Sequence, residues 1–267
     1  ARLLGKLFAR VGCAYLPPRV AAWRYGVGGR ASSDLVANLR DGAAVGVAPK
    51  TEPAEEFVAV PLELEDVVDR LLHLLAHPST AVRYGAAKGL GRVGGRLPDD
   101  CAGDVAEALL DGMEREFEGG SGDGGDALHG RLVAAAECVR AGAVGDGKLG
   151  RLADIVARAT QYDVRRASRP AGAHVRDAAL YVCWALARSR PPSSLAPHAP
   201  LLGTSMVLAS LFDREMGCRR AASAAFQENV GRAGNGGKFA DGIAVLTAAD
   251  YVAVGNRRRA YQEVARE

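Results

Sequence analysis

The sequence predicts an all-α fold in which antiparallel helix pairs stack into an elongated solenoid. Three observations predict it. Apolar residues recur at i, i+3, i+4 and i+7 over most of the 267 residues. The two smallest residue types are abundant, with 50 alanines and 33 glycines, so helices can pack closely. A short arginine-alanine motif returns at nearly constant spacing.

Each element follows in order. Leu3, Leu4, Leu7, Phe8 and Val11 open the chain on a helical pattern. Between residues 41 and 60 the pattern fails, and Pro49, Glu52, Pro53, Glu55 and Glu56 predict a polar linker or loop. Leu64, Val67, Val68, Leu71, Leu72 and Leu75 then form one apolar face. Pro78-Ser79 breaks that run and is expected to cap a helix carrying Val82, Ala86, Leu90 and Val93, which ends near Gly94-Gly95. Asp99 and Asp100 open the next helix, with Val105, Leu109, Met113 and Phe117 one turn apart. A glycine-rich loop over 119–125 leads to Leu128, Leu132, Ala135 and Val139, with Gly142 as the expected left-handed C-cap. Leu149, Leu152, Val156 and Ala159 follow, then Val175, Ala179, Val182 and Leu186. Leu201, Ser205, Leu208 and Phe212 make the next expected face, and Cys218, Ala221, Ala225 and Asn229 close the series.

Every second helix carries an arginine near its start and small residues after it. The arginines read as equivalent are Arg83, Arg131, Arg176 and Arg219, at steps of 48, 45 and 43 residues. A fifth copy, Arg19-Val20-Ala21-Ala22, lies 64 residues before Arg83, with the polar linker between. Helix pairs at about 40–47 residues are the period of HEAT and armadillo arrays. One pair cannot bury its own apolar stripe, so pairs stack and the array becomes a solenoid. The whole chain, 1–267, therefore reads as one continuous array. Its plainer alternative is a single irregular helical domain.

Composition excludes several classes. Aromatics are 6% of the chain, too few for a β-sandwich or barrel. The glycines lack a Gly-X-Y period, which excludes collagen. A net charge of +3 lacks the basic excess of a nucleic-acid binder. Cys13, Cys101, Cys138, Cys183 and Cys218 are scattered without a C-x-x-C, as expected of reduced thiols in a cytosolic protein. No continuous apolar run reaches the roughly 18 residues of a membrane span, so no membrane insertion is expected. The chain starts inside an apolar pattern and ends without a cap, and it reads as a piece of a longer protein.

Several runs resemble the tubulin-folding cofactor D family. They are 18–25, beginning Pro18-Arg19-Val20, then Ala86 to Arg92, Gly95-Arg96-Leu97-Pro98, Val175 to Arg188, and Cys218 to Arg232, which holds Phe226-Gln227-Glu228-Asn229. Ala249 to Arg257 also fits. The order and spacing match the central HEAT-repeat part of that cofactor over almost the whole chain. Three places depart: 118–126 is unusually glycine-rich, 43–56 is less acidic, and the likeness fades from Arg257 onward. The resemblance implies a non-enzymatic chaperone scaffold that binds β-tubulin. With cofactors C and E and an Arf-like small GTPase, such a scaffold assembles or dismantles the αβ-tubulin heterodimer. It also implies help in stimulating tubulin's GTP hydrolysis, and a place in the cytoplasm, at microtubules and at the centrosome or basal body. The alternatives are a HEAT-repeat adaptor for an unrelated partner and an enzyme built across repeats.

The residues offer no catalytic set, metal site or cofactor. Gly120-x-Gly122-x-x-Gly125 spells a dinucleotide fingerprint, but a helical pattern precedes it where a strand is required, and Glu118, Asp123 and Asp126 would repel phosphate. His73 and His77 lie one helical turn apart without a third ligand. His129, His174 and His198 are singletons with expected structural roles. Arg165, Arg166 and Arg169 form a basic loop suited to an acidic protein, and Arg257-Arg258-Arg259 is a second cluster. Phe226, Gln227, Glu228 and Asn229 are candidates for presentation to a partner. The repeated arginines, Arg83, Arg131, Arg176 and Arg219, are expected to hold repeat against repeat.

Overall fold

The computed structural model describes residues 2–17, 60–119, 125–166, 169–233, 239 and 241–266. The fifth motif copy at Arg19, nearly all of the linker expected at 41–60, and most of the loop at 119–125 lie outside these residues. So do the first stretch of the family resemblance and the glycines Gly120 and Gly122.

The described chain is a succession of helices. They are α1 (Arg2–Ala14), α2 (Leu62–Leu74), α3 (Thr80–Gly94), α4 (Asp99–Gly119), α5 (Asp126–Ala141) and α6 (Leu149–Ala159). After these come α7 (Ala173–Ser189), the one-turn α8 (Pro192–Leu195), α9 (Ala199–Phe212), α10 (Met216–Ala233), α11 (Gly242–Ala248) and α12 (Arg257–Gln262). The all-α class carries one departure among the described residues. The basic segment read as a loop is a two-stranded hairpin, β1 (Val164–Arg166) paired antiparallel with β2 (Arg169–Ala171).

Two rows of helices run along the array. Helices α3, α5, α7 and α10 pack each on the next, and α1 packs on α3. A second row holds α2, α4, α6 and α9. Alanines make the first row dense: Ala86, Ala87, Ala134, Ala136, Ala179, Ala185 and Ala222 are wholly buried. Most of the buried residues from Leu16 to Phe226 form one contiguous core, and Leu211, Ala249, Ala253, Val254 and Val264 form a second, small one.

Most expected faces are buried as read, but those of α1 and α9 are not. In α1 Leu3, Leu4, Leu7 and Val11 are exposed, and the small residues Gly5, Ala9 and Gly12 face inward because they let α1 lie close on α3. In α9 Leu208 and Phe212 are 46% and 43% exposed, and Leu201 is exposed too, whereas Leu202, Ser205, Met206 and Ala209 point inward. This helix is apolar on all sides, so its periodicity carries no phase, and its neighbours choose the buried side. The stretch Pro192–Phe212 is also long and apolar enough to cross a membrane by length and composition, though half of its most apolar window is buried in the fold.

The helix ends follow their residues with one exception. Gly142 is left-handed at φ 82°, as a C-cap requires. Gly125 and Gly172, at φ 93° and 115°, turn the chain into α5 and α7. The Ser79 side chain makes no capping bond, and the Ser79 backbone N–H donates to His77 Nδ1 at 2.9 Å.

Candidate protein-binding surface

Three arginines repeat one geometry at the hairpin edge of the array. Each is the fourth residue of its helix. Arg83 donates to the carbonyls of His77 and Pro78 in its own turn, at 2.8 and 3.0 Å. It then reaches the next repeat, donating to His129 Nδ1 at 3.0 Å and pairing with Asp126 at 2.8 Å. Arg176 donates to the Tyr162 carbonyl at 2.9 Å and forks onto Asp213 at 2.6 and 3.1 Å. Arg219 holds the carbonyls of Asp213 and Arg214 in its own turn, and those of Val254 and Gly255 beyond. A planar guanidinium has enough donors to serve two turns at once.

Arg131 does not share this place. The fourth residue of α5 is His129, 46 residues after Arg83 and 47 before Arg176. Arg131 lies two positions further on, faces Gly112, and pairs with Glu116 of its own repeat at 2.7 Å. The short motif matched in letters two residues out of register, because an arginine followed by alanines is common on such helices.

His129 is buried, edge-on to Tyr84 with ring centroids 5.6 Å apart and 5.3 Å from the His174 ring. Burial, aided by the Arg83 cation and by His174, lowers its pKa from 6.5 to about 3. The folded chain thus refuses a proton that the unfolded chain accepts. Its contribution is complete above pH 6.5 and is lost as the pH falls towards the folded value. Lowering the pH from 7 to 5 should cost about 2 kcal/mol through this group. In His129→Gln, whose amide oxygen can still accept from Arg83, urea unfolding should lose that share of the pH dependence. Equal slopes in both proteins would exonerate His129.

The exposed face of the first row carries the richest surface chemistry. Trp184 on α7 is half-buried and stacks on Tyr181, centroids 5.8 Å apart at 21°. Arg188 lies 4.9 Å from the Trp184 ring centre, and Arg140 of α5 lies 5.8 Å from it. Tyr181 donates to Glu137 at 2.9 Å and accepts from Arg140 at 3.0 Å. Arg188 pairs with Glu228 of α10 at 3.2 Å. The acids are tucked in and the bases stand out: Glu137 and Glu228 are 12% and 23% exposed, Arg140 and Arg188 44% and 42%. An approaching protein therefore meets guanidinium and aromatic surface, the composition enriched at binding hot spots.

The candidates at 226–229 divide between core and this face. Phe226 is buried, edge-on to Phe239 at 5.4 Å. Asn229 turns inward, donating to the carbonyls of Cys183 and Ala225 at 3.2 and 2.8 Å. Glu228 bonds Arg188 and Arg232. Gln227 alone is exposed. It stands 43 residues after Trp184, the step from Arg176 to Arg219, so it extends the Trp184 row onto α10. Sequence reading missed Tyr181, Trp184, Arg140 and Arg188. A signal was present: Tyr181 and Trp184 are large aromatics off the apolar face of Val175, Ala179, Val182 and Leu186.

The basic candidates occupy other places. Arg165, Arg166 and Arg169 stand on the hairpin between α6 and α7, with Arg166 opposite Arg169 in register. Arg257, Arg258 and Arg259 open α12. His77 accepts its bond from Ser79, and among the described residues no three His, Cys, Asp or Glu side chains converge as a metal would need.

Comparison with known proteins agrees with this architecture. A family described as tubulin-specific chaperone D-like, ARM repeats, matches residues 1–243. A tubulin-specific chaperone D of Dictyostelium discoideum is 38% identical over 187 residues, 70% of this chain and 12% of that protein. A tubulin-folding cofactor D of Schizosaccharomyces pombe is 26% identical over 272 aligned positions, 98% of this chain and 23% of that protein. The chain thus spans under a quarter of the length of these relatives. No solved structure matches it significantly.

Proposed function

This chain belongs to the tubulin-specific chaperone D-like ARM-repeat family, and on that footing we propose that it is a segment of a non-enzymatic scaffold that binds β-tubulin. We read 1–267 as one continuous array. The whole protein would work with cofactors C and E and an Arf-like small GTPase to assemble and dismantle the αβ-tubulin heterodimer, and would help stimulate tubulin's GTP hydrolysis. Its place would be the cytoplasm, at microtubules and at the centrosome or basal body.

The observation that carries the binding role is the Trp184 face. Glu137, Trp184 and Gln227 occupy corresponding places on three successive helices, with Arg140 and Arg188 flanking the indole. Solenoids bind extended partners along such rows. The arginines of the hairpin, Arg165, Arg166 and Arg169, would add long-range attraction to an acidic partner.

Binding of the chain to purified β-tubulin, followed by interferometry at low and physiological salt, tests this reading. Binding should weaken with salt. Trp184→Ala should reduce affinity by about 30-fold, the scale of a hot spot. Reversing Arg165 and Arg166 to glutamate should slow association, chiefly at low salt. A folded chain that binds no tubulin would favour the alternative, an adaptor for an unrelated partner. Binding that ignores Trp184→Ala would move the interface elsewhere and leave the family role standing.

A further inference from the structure

The second row of helices has a gap. Helix α4 packs on α6, and α6 on α9, whereas α2 and α4 touch only slightly if at all and line one pocket from its two sides. Between them runs a trough whose half-buried apolar walls include Val68, Leu72 and Leu97. Its rim carries the exposed carboxylates of Glu65, Asp69 and Asp104, and among the described residues no Lys or Arg lines it. Among the described residues none of the three acids has an ion-pair partner. Two helices with an apolar trough between them accept a third helix laid along it. Three uncompensated carboxylates at the rim select Lys and Arg beside that helix's apolar face.

We propose that this trough docks an amphipathic, basic helix of a partner protein. The chain's own segment 41–59 carries four acids and one lysine, so its charge opposes the rim. The proposal is independent of the Trp184 face, which lies on the other row and presents the opposite charge.

The test uses the 267-residue chain and a labelled 18-residue peptide of leucine and lysine patterned as an amphipathic helix. Fluorescence anisotropy reads affinity. Cys101 lines the trough, so its alkylation by iodoacetamide at about pH 8.5, where a thiol reacts, reads location by mass spectrometry. The peptide should bind, should slow modification of Cys101, and should lose at least about ten-fold in affinity in Asp69→Lys/Asp104→Lys, with less loss at high salt. The neutral pair Asp69→Asn/Asp104→Asn gives the same reading with a smaller loss if the lysine variant fails to fold. Equal binding by a leucine-glutamate peptide of the same pattern would overturn the proposal. So would unprotected Cys101, or affinity unchanged in the charge variants.

Discussion

Arg176→Ala should destabilise the fold by about 3–5 kcal/mol, the cost of stranding a buried partner charge. The pair is nearly sealed from water, with Arg176 6% and Asp213 4% exposed at the side chain. Arg176 also donates to the Tyr162 carbonyl, so its removal takes a donor from that carbonyl and leaves the buried Asp213 charge with only the Glu215 N–H. Arg176→Lys should lose much of the same stability, because an ammonium cannot fork onto both carboxylate oxygens while holding the carbonyl. Arg176→Met combined with Asp213→Asn should recover part of the loss, since the stranded charge is gone. Urea unfolding of the four proteins checks the series. A single variant as stable as the parent would show that the fork does not hold these repeats together.

Gly130→Val should cost about 3 kcal/mol or more, at the severe end of overpacking. A Cβ at Gly130 would lie 2.0 Å from the Leu75 carbonyl oxygen and 2.8 Å from its carbon. The obstacle is backbone at the end of α2, which cannot rotate aside, so α5 must lift from the preceding repeat. Gly103→Ala is the control. Gly103 is inside α4 with open space around it, and alanine there should stabilise by about 0.5–1 kcal/mol. Opposite signs at the two glycines would identify close helix approach as the cause. A tolerated valine at position 130 would refute it.

How much was legible depended on whether a residue answers to its own helix or to another. The face of Leu128, Leu132, Ala135 and Val139 was readable because a helix with one polar side has a phase, and all four are buried. Helix α9 had none, so Leu208 and Phe212 were placed inward and lie outward. The place of the arginine in α5 was misread at Arg131 because the structure gives it to His129, whose role depends on Arg83 reaching across 46 residues. Phe226 looked available beside Gln227, yet Phe239 covers it.

By itself the sequence determined the helical class, a period of about 45 residues, the close packing that alanine and glycine permit, and the family. These are properties of local periodicity and of composition summed along the chain. Only the tertiary structure decided which side chains meet between repeats, Arg176 on Asp213, Arg140 beside Trp184 and Arg188 on Glu228, and that α2 and α4 flank a trough. The physical reason is that a helix's own pattern says which side it buries, while its partners are set by how closely successive repeats approach and in what register.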